Sequence, residues 1–233
     1  MLILSLDTTT AAGSCALLAD GRVLREAAGD PAVSQAERLP GDMVALLAAE
    51  RVDLREVDAF AVGIGPGSFT GLRVGIAAMQ GLAVAMGKPL VGVSAFDALA
   101  AIAGGSGMSL RPEPPYGRVA TWIDAWRGEV FAALYEGGRE IDAPSVEPPA
   151  RLLARYPGAP PLFTGDGAAL YASDIVRALG EAARFTEPRV PQLAGMMAML
   201  AAAVLAQGAR PLPHAIRPLY VRRSDAELTR DRT

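Results

Sequence analysis

The chain reads as an α/β protein built in two lobes. It opens on short apolar runs separated by turns, the pattern of a strand meander. Helical and strand patterns then alternate, and beyond a Gly/Pro-rich stretch near the middle strand pairing begins again. With 233 residues, 51% of them hydrophobic, and a mean hydropathy of +0.26, there is ample apolar surface for a core in one large domain or two small ones.

Leu2–Leu6 is an apolar run ending in Asp7-Thr8-Thr9-Thr10. Ser14–Ala19 and Arg22–Ala27 flank Asp20-Gly21, a pair suited to a type I′ turn, whose central residues both need positive φ. These runs predict an antiparallel meander. Ser34 is placed to cap a helix to about Arg51, with Leu39, Met43, Leu46 and Leu47 on one face and Pro40 in the first turns, where it costs least. Asp58–Ile64 predicts a buried strand, Gly65–Ser68 a tight turn, Thr70–Met86 a second helix, Pro89–Val93 a strand, and a helix follows to about Ala103. The loop-like stretch Gly104–Pro115 divides the chain into lobes at 1–105 and 106–233. In the second lobe, strands Arg118–Ala125 and Glu129–Glu136 flank Trp126-Arg127-Gly128. Pro/Gly clusters follow around Glu147–Pro149 and Tyr156–Pro161. A strand then ends in Thr164-Gly165-Asp166-Gly167, a helix spans about Leu170–Leu179, and an Ala/Met-rich helix and a charged tail close the chain. No strong internal repeat is visible, although each half opens with strand pairing and then turns α/β.

Composition excludes several functions. The net charge of −3 and a pI near 5.3 lack the basic footprint of a protein that grips nucleic acid by itself. Cys15 and His214 are the only residues of their kinds, which excludes a disulfide framework and leaves too few ligands for an ordinary zinc site. The N-terminus has no basic region, and Asp7 interrupts its apolar run, so it is not read as a signal peptide. The uncharged stretch between Arg189 and Arg210, rich in Ala and Met, predicts a buried helix rather than a bilayer span. A cytoplasmic protein without a membrane segment is expected.

The densest motif is Gly65-Pro-Gly-Ser-Phe-Thr-Gly-Leu-Arg73, between a strand and a helix. Its amides could receive an anion at the helix N-terminus, or it could be a constrained turn capped by Ser68 or Thr70. Its spacing is neither a P-loop nor a dinucleotide fingerprint. Asp7 and Thr8 end the first strand, where they could contact a nucleotide or simply form a turn, and Asp166 between two glycines has the same two readings. Gly71, Gly75 and Ala78, with Gly81 or Ala85, recur at helical spacing, small enough for close approach by the chain's own sheet or by a partner's helix. No nucleophile–base pair is legible. His214 lies between prolines and alanine as a surface loop would, and Cys15 sits in an apolar strand. Trp122, Trp126, Phe131 and Tyr135 occur on one hairpin, where packing accounts for them.

In order along nearly the whole chain, several segments resemble the TsaB (YeaZ) family, the bacterial subunit of the machinery that makes threonylcarbamoyladenosine in tRNA. They are Ile3–Thr9, Gly65–Arg73, Gly81–Ala83, Lys88–Ser94, Ile123–Ala125 with Arg127–Phe131, Thr164–Gly167 and Pro218–Arg222. Trp126 departs from the pattern, standing where the family commonly has an arginine. The resemblance implies the two-lobed sugar kinase/Hsp70/actin (ASKHA) fold with a shortened second lobe. It also implies a non-catalytic scaffold for a larger homologous catalytic subunit, TsaD, joined by a small ATPase, TsaE. The assembly transfers a threonylcarbamoyl group to the adenosine beside the anticodon of tRNAs reading codons that begin with A. In that family the two N-lobe helices pair with a second copy or with the catalytic paralogue, which implies partner contacts at Leu39, Met43, Leu46, Gly71, Gly75, Ala78, Met79 and Leu82. Asp7, Thr8, Gly65, Gly67 and Ser68 are the candidates for an anion or nucleotide contact. No cofactor or metal is expected of this chain itself, ATP and metal belonging to the partner subunits, and tRNA is reached only through the complex. Aligned on Pro89–Val93, the paralogue's two metal-binding histidines fall on Ala95 and Leu99, which cannot ligate a metal. One histidine likewise cannot make a two-histidine protease site. The alternative is an active phosphotransferase of the same fold, but of the second-lobe motifs it needs only Thr164–Gly167 is legible.

Overall fold

A computed structural model describes residues 1–105, 117–156 and 160–222. The loop-like residues after 105, where the lobe boundary was placed, and the charged tail after Arg222 lie outside the described residues.

β1 (Leu2–Asp7), β2 (Ser14–Ala19) and β3 (Arg22–Ala28) form the expected meander. Its Asp20-Gly21 turn has φ of 50° and 80°, the left-handed values a tight hairpin requires. After α1 (Gln35–Ala49), β4 (Ala59–Gly65) lies parallel to β1 on its free side. α2 (Phe69–Met86) returns the chain to β5 (Leu90–Ser94), parallel to β4, and α3 (Ala95–Ala103) follows. The sheet order is β3-β2-β1-β4-β5. β1 and β4 are almost wholly buried, as strands covered on both faces must be, and their apolar runs reflect it.

The second half repeats the plan. β6 (Arg118–Asp124), β7 (Val130–Glu136) and β8 (Arg139–Glu147) are antiparallel neighbours; β9 (Leu162–Thr164) runs parallel to β6, and β10 (Arg184–Phe185) parallel to β9. The order β10-β9-β6-β7-β8 mirrors the first sheet. The helices here are short: α4 (Pro149–Ala154), α5 (Asp166–Leu170) and α6 (Ala172–Leu179). The helix expected from about Leu170 to Leu179 is α6, and α5 before it is an addition.

α7 (Ala194–Ala206) is the Ala/Met-rich helix. Although chain order puts it in the second half, it packs on β1, β2, β4 and β5 of the first sheet. The reason is compositional: apolar on every side, it needs cover all round, and the space between the sheets supplies it except at Ala203, Val204 and Ala206 in the last turns. Its first turn is held by Ser14 Oγ, which accepts from the amides of Leu193 and Ala194 at 3.3 and 3.0 Å, and by Glu26 Oε1, which accepts from that of Gly195 at 2.8 Å. A carboxylate there also meets the positive end of the helix dipole.

The layers run helix, sheet, helix, sheet, helix. One apolar cluster joins α3 and α7 with the facing sides of both sheets; a second fills the space between the first sheet and α1/α2; a third lies between the second sheet and α4/α6. Beyond α7 the chain returns as an extended strap, residues 211–222. Its Pro213 and Ile216 carbonyls accept from Gln80 of α2 at 2.9 and 3.3 Å, and its Leu219 amide donates to Ile64 of β4 at 2.7 Å. Arg222 then reaches the second lobe, donating to the Ala125 carbonyl at 2.9 Å and pairing with Glu129. By length and composition α2 could cross a bilayer. In the fold its buried row faces the first sheet and Gln80 anchors the strap.

Candidate interaction face and interlobe cleft

The glycine motif is first a packing device. Gly65 has φ of +110°, and a Cβ on Gly67 would overlap the backbone of Thr9. The Ser68 amide donates to the Thr9 carbonyl at 3.0 Å, and Ser68 Oγ caps α2 by accepting from the Gly71 amide at 3.2 Å. The motif therefore clamps the start of α2 onto the end of β1. A Cβ on Gly71 would overlap the Thr8 carbonyl and Gln35, and one on Gly75 would overlap the Thr8 side chain.

That geometry corrects the expected partner face. Leu39, Met43 and Leu46 lie in the core between α1 and the sheet, and Gly71, Gly75 and Met79 are buried too. Ala78 and Leu82 are half-buried. The small-residue row lets α2 approach its own β1, and Gly71 and Gly75 have no exposed surface left to offer a partner. The outward stripes are their neighbours on the same helices: Pro40, Gly41, Val44, Ala45 and Ala48 on α1, and Ala77, Gly81, Val84 and Ala85 on α2. Val44 and Val84 are 67% and 65% exposed. A Cβ on Gly41 or Gly81 would meet nothing within 4 Å. Glycine inside a helix costs about 1 kcal/mol relative to alanine, and nothing within the subunit offsets that here. Sequence periodicity marked these helices but not which side of each faces the sheet.

Asp7 ends up as a buried carboxylate at the lobe junction, and Asp166 as a half-buried one. Asp7 Oδ1 accepts from the Thr9 amide at 2.9 Å and the Thr9 hydroxyl at 2.6 Å. Burial pushes its carboxyl up to about 6 against those bonds, and the charge of Asp166 adds to the rise. Asp166 accepts from the amides of Asp124 and Gly167 at 3.0 and 2.8 Å, and burial likewise pushes it up to about 6. Of the sequence candidates, Asp7, Gly67 and Ser68 are thus brought together around Thr9, Gly65 lies against Leu72 and the strap at Leu219, and the buried Thr8 hydroxyl has no hydrogen-bond partner among the described residues. Cys15 is a buried strand residue whose thiol burial pushes up to about 11, and His214 is exposed on the strap. Among the described residues no cluster of His, Cys, Asp or Glu is arranged to hold a metal.

A cleft of about 510 Å³ lies beside this junction, bounded by the first turn of α2, the β6–β7 turn and the strap. Tyr220 of the strap packs on Phe69 of α2, ring centroids 5.5 Å apart, and Arg73 lies over the Phe69 ring at 3.8 Å while its Nε donates to the Tyr220 hydroxyl at 3.2 Å. On the hairpin, Trp122, Phe131 and Tyr135 are buried as packing predicts, but Trp126 is 50% exposed.

Two lobes of like strand order, joined by helices between the sheets, define an ASKHA-type protein. A glucomannokinase from Arthrobacter superposes at a TM-score of 0.51 over 88% of this chain and 99% of its own, at 12% identity, a likeness of fold alone. A family profile described as TsaD, tRNA N6-adenosine threonylcarbamoyltransferase, matches residues 33–228. YeaZ from Pseudomonas aeruginosa superposes at a TM-score of 0.75 with 32% identity, covering 94% of this chain and 99% of its own. The Escherichia coli tRNA threonylcarbamoyladenosine biosynthesis protein TsaB is 39% identical over 58% of this chain and 55% of its own. An uncharacterised Mycobacterium leprae protein is 34% identical over 97% of this chain, which spans 56% of that relative's length. The chain belongs to the TsaB (YeaZ) family, homologous to TsaD.

Proposed function

We propose that this chain is a non-catalytic scaffold subunit in threonylcarbamoyladenosine formation on tRNA. It pairs with a larger TsaD-like catalytic subunit, and with a second copy of itself when alone. A TsaE-like ATPase joins the assembly, ATP and metal serve those partners, and the complex works in the cytoplasm.

The observation that carries the reading is the outward face of α1 and α2. Beyond Glu37 and Arg73 near the helix starts it is apolar and small, with two helix-interior glycines that no contact within the subunit requires. A bare glycine on an apolar stripe lets another helix approach closely, so two such stripes side by side suit a helical partner. Ala95 and Leu99, where the catalytic paralogue would carry metal-binding histidines, are both buried and apolar.

Light-scattering mass after gel filtration tests the reading, on the chain alone and mixed with the TsaD from the same organism. The expected result is a mixed complex that replaces a self-associated form. Separate elution, with and without nucleotide and TsaE, overturns it. Steady ATP turnover by the isolated chain would instead favour the phosphotransferase alternative.

A further inference from the structure

The fold uses the glycines and Ser68 of the Gly65–Arg73 motif fully, whereas Phe69 and Arg73 keep exposed surface after packing with Tyr220. Phe69 remains 42% exposed in the first turn of α2, and no carboxylate pairs with Arg73 among the described residues. Phe69 lines the cleft with Tyr220, which is still 45% exposed after packing on Phe69, and Arg73 touches both of these lining residues from outside the cleft. On the other wall stands Trp126. Its φ is +56°, and that of Arg127 +58°. Left-handed backbone at a non-glycine residue costs on the order of 1–2 kcal/mol, and here two consecutive residues accept it to present an indole and a guanidinium at a cleft. Asp7 and Asp166 do not line this cleft, so it is separate from the carboxylates at the junction.

We propose that this cleft takes one nucleotide of an unpaired RNA strand, its base stacked against Trp126 and Tyr220 and its flanking phosphates drawn by Arg73 and Arg127. The proposal rests on the tRNA-modification reading above and assigns this chain a direct contact with the RNA inside the complex. Stacking on aromatic side chains combined with nearby arginine is how unpaired nucleotides are held without reading their sequence. The volume suits one such unit. The positive end of α2 in the cleft wall adds to the attraction. A local contact of this kind is compatible with a net charge of −3, because the chain need not bind RNA tightly by itself.

Trp122 and Trp126 are the only tryptophans, and Trp122 is fully buried, so Trp126 alone reports stacking. Titrating the full chain, alone and paired with its TsaD, with a short unpaired oligoribonucleotide should quench Trp126 emission saturably. With fluorescently labelled oligonucleotide, Trp126→Ala should weaken binding about 10-fold or more. Arg73→Gln should flatten the slope of log affinity against log salt by about 0.7. Pairing with TsaD and threonylcarbamoyl incorporation into tRNA are measured on the same wild-type preparations. If these hold while the oligonucleotide leaves Trp126 emission unchanged, the cleft proposal falls and the scaffold reading stands. If they fail while stacking persists, the reading falls instead. The cleft proposal is also overturned if adenosine monophosphate quenches as well as the oligonucleotide, or if Trp126→Ala and Phe69→Ala abolish pairing with TsaD and leave RNA affinity unchanged.

Discussion

The two lobes share a strand order and a turn but differ in what they show to the outside. Each has a meander followed by two parallel strands, and in each the chain leaves the fourth strand through a left-handed glycine, Gly65 at φ +110° and Gly165 at +106°. In each, a glycine at the start of the next helix is pressed onto the end of the first strand: Gly71 against Thr8, Gly167 against Ile123 and Asp124. The outer layers then diverge. The second lobe carries short helices with paired charges on and beside them, Arg177 with Asp174 in α6, and Arg155 at the end of α4 with Asp142 and Glu147 of β8. The first carries helices of 15 and 18 residues with bare alanine, valine and glycine outward. One outer layer carries paired charges, and the other is bare and apolar.

The largest effect comes from breaking what the lobes share. Gly75→Leu would drive a side chain into Thr8 and should unfold or aggregate the chain, a loss above about 3 kcal/mol seen as a collapsed thermal transition. It therefore cannot probe pairing. Gly81→Arg, two turns on and facing open space, probes only the difference between the lobes. It places charge and bulk on the outward stripe while raising helix propensity. Association with TsaD or with a second copy should fall at least about 100-fold by light scattering or calorimetry, with the monomer's melting temperature unchanged or slightly higher. Normal pairing by a folded Gly81→Arg chain would remove the face from the interface.

The junction carboxylates predict a pH effect of intermediate size. Asp7 is pushed from an ordinary carboxylate value up to about 6, so between those limits the folded state holds a proton that the unfolded state has lost. Stability should therefore rise as the pH falls from about 7 towards 5, contrary to the usual carboxylate in an ion pair. Asp7→Asn keeps an oxygen for the Thr9 donors and removes the buried charge. At pH 7.5 it should stabilise the chain by about 2 kcal/mol, and the gain should shrink towards pH 5. A variant no more stable than wild type at pH 7.5 would show that the carboxylate is not desolvated as its burial implies.

Most of the first lobe is legible because its signals are local and one-sided: Asp20-Gly21 demands a turn, and the runs in β1 and β4 demand cover. β8 escapes because it is an edge strand with no fully buried residue and Pro144 within it, so no apolar stripe betrays it. The place of α7 escapes for the opposite reason, since a helix apolar all round points nowhere. The expected contact residues differ from the exposed ones by one residue's rotation. Leu39 and Pro40, or Ala78 and Ala77, are adjacent in sequence and similar in polarity, and only the position of the sheet decides which faces inward.

The smallest predicted effect lies at the two hairpin turns, where the lobes differ again. In the connection from β1 to β2 the left-handed residue is Gly13, at φ +59°, whereas between β6 and β7 Trp126 and Arg127 take that conformation before Gly128. Asparagine tolerates left-handed backbone far better than tryptophan, because its short polar side chain can hydrogen-bond locally. Trp126 is half exposed, so little packing is lost with its ring. Trp126→Asn should therefore stabilise the chain by about 1 kcal/mol, raising the melting temperature by about 2–4 °C. If the residue were held there by packing alone, the same change would destabilise. A gain in stability with a loss of RNA stacking would mean that the second lobe keeps a strained turn for what the turn presents, where the first lobe, with Gly13 as its left-handed residue, keeps only the turn.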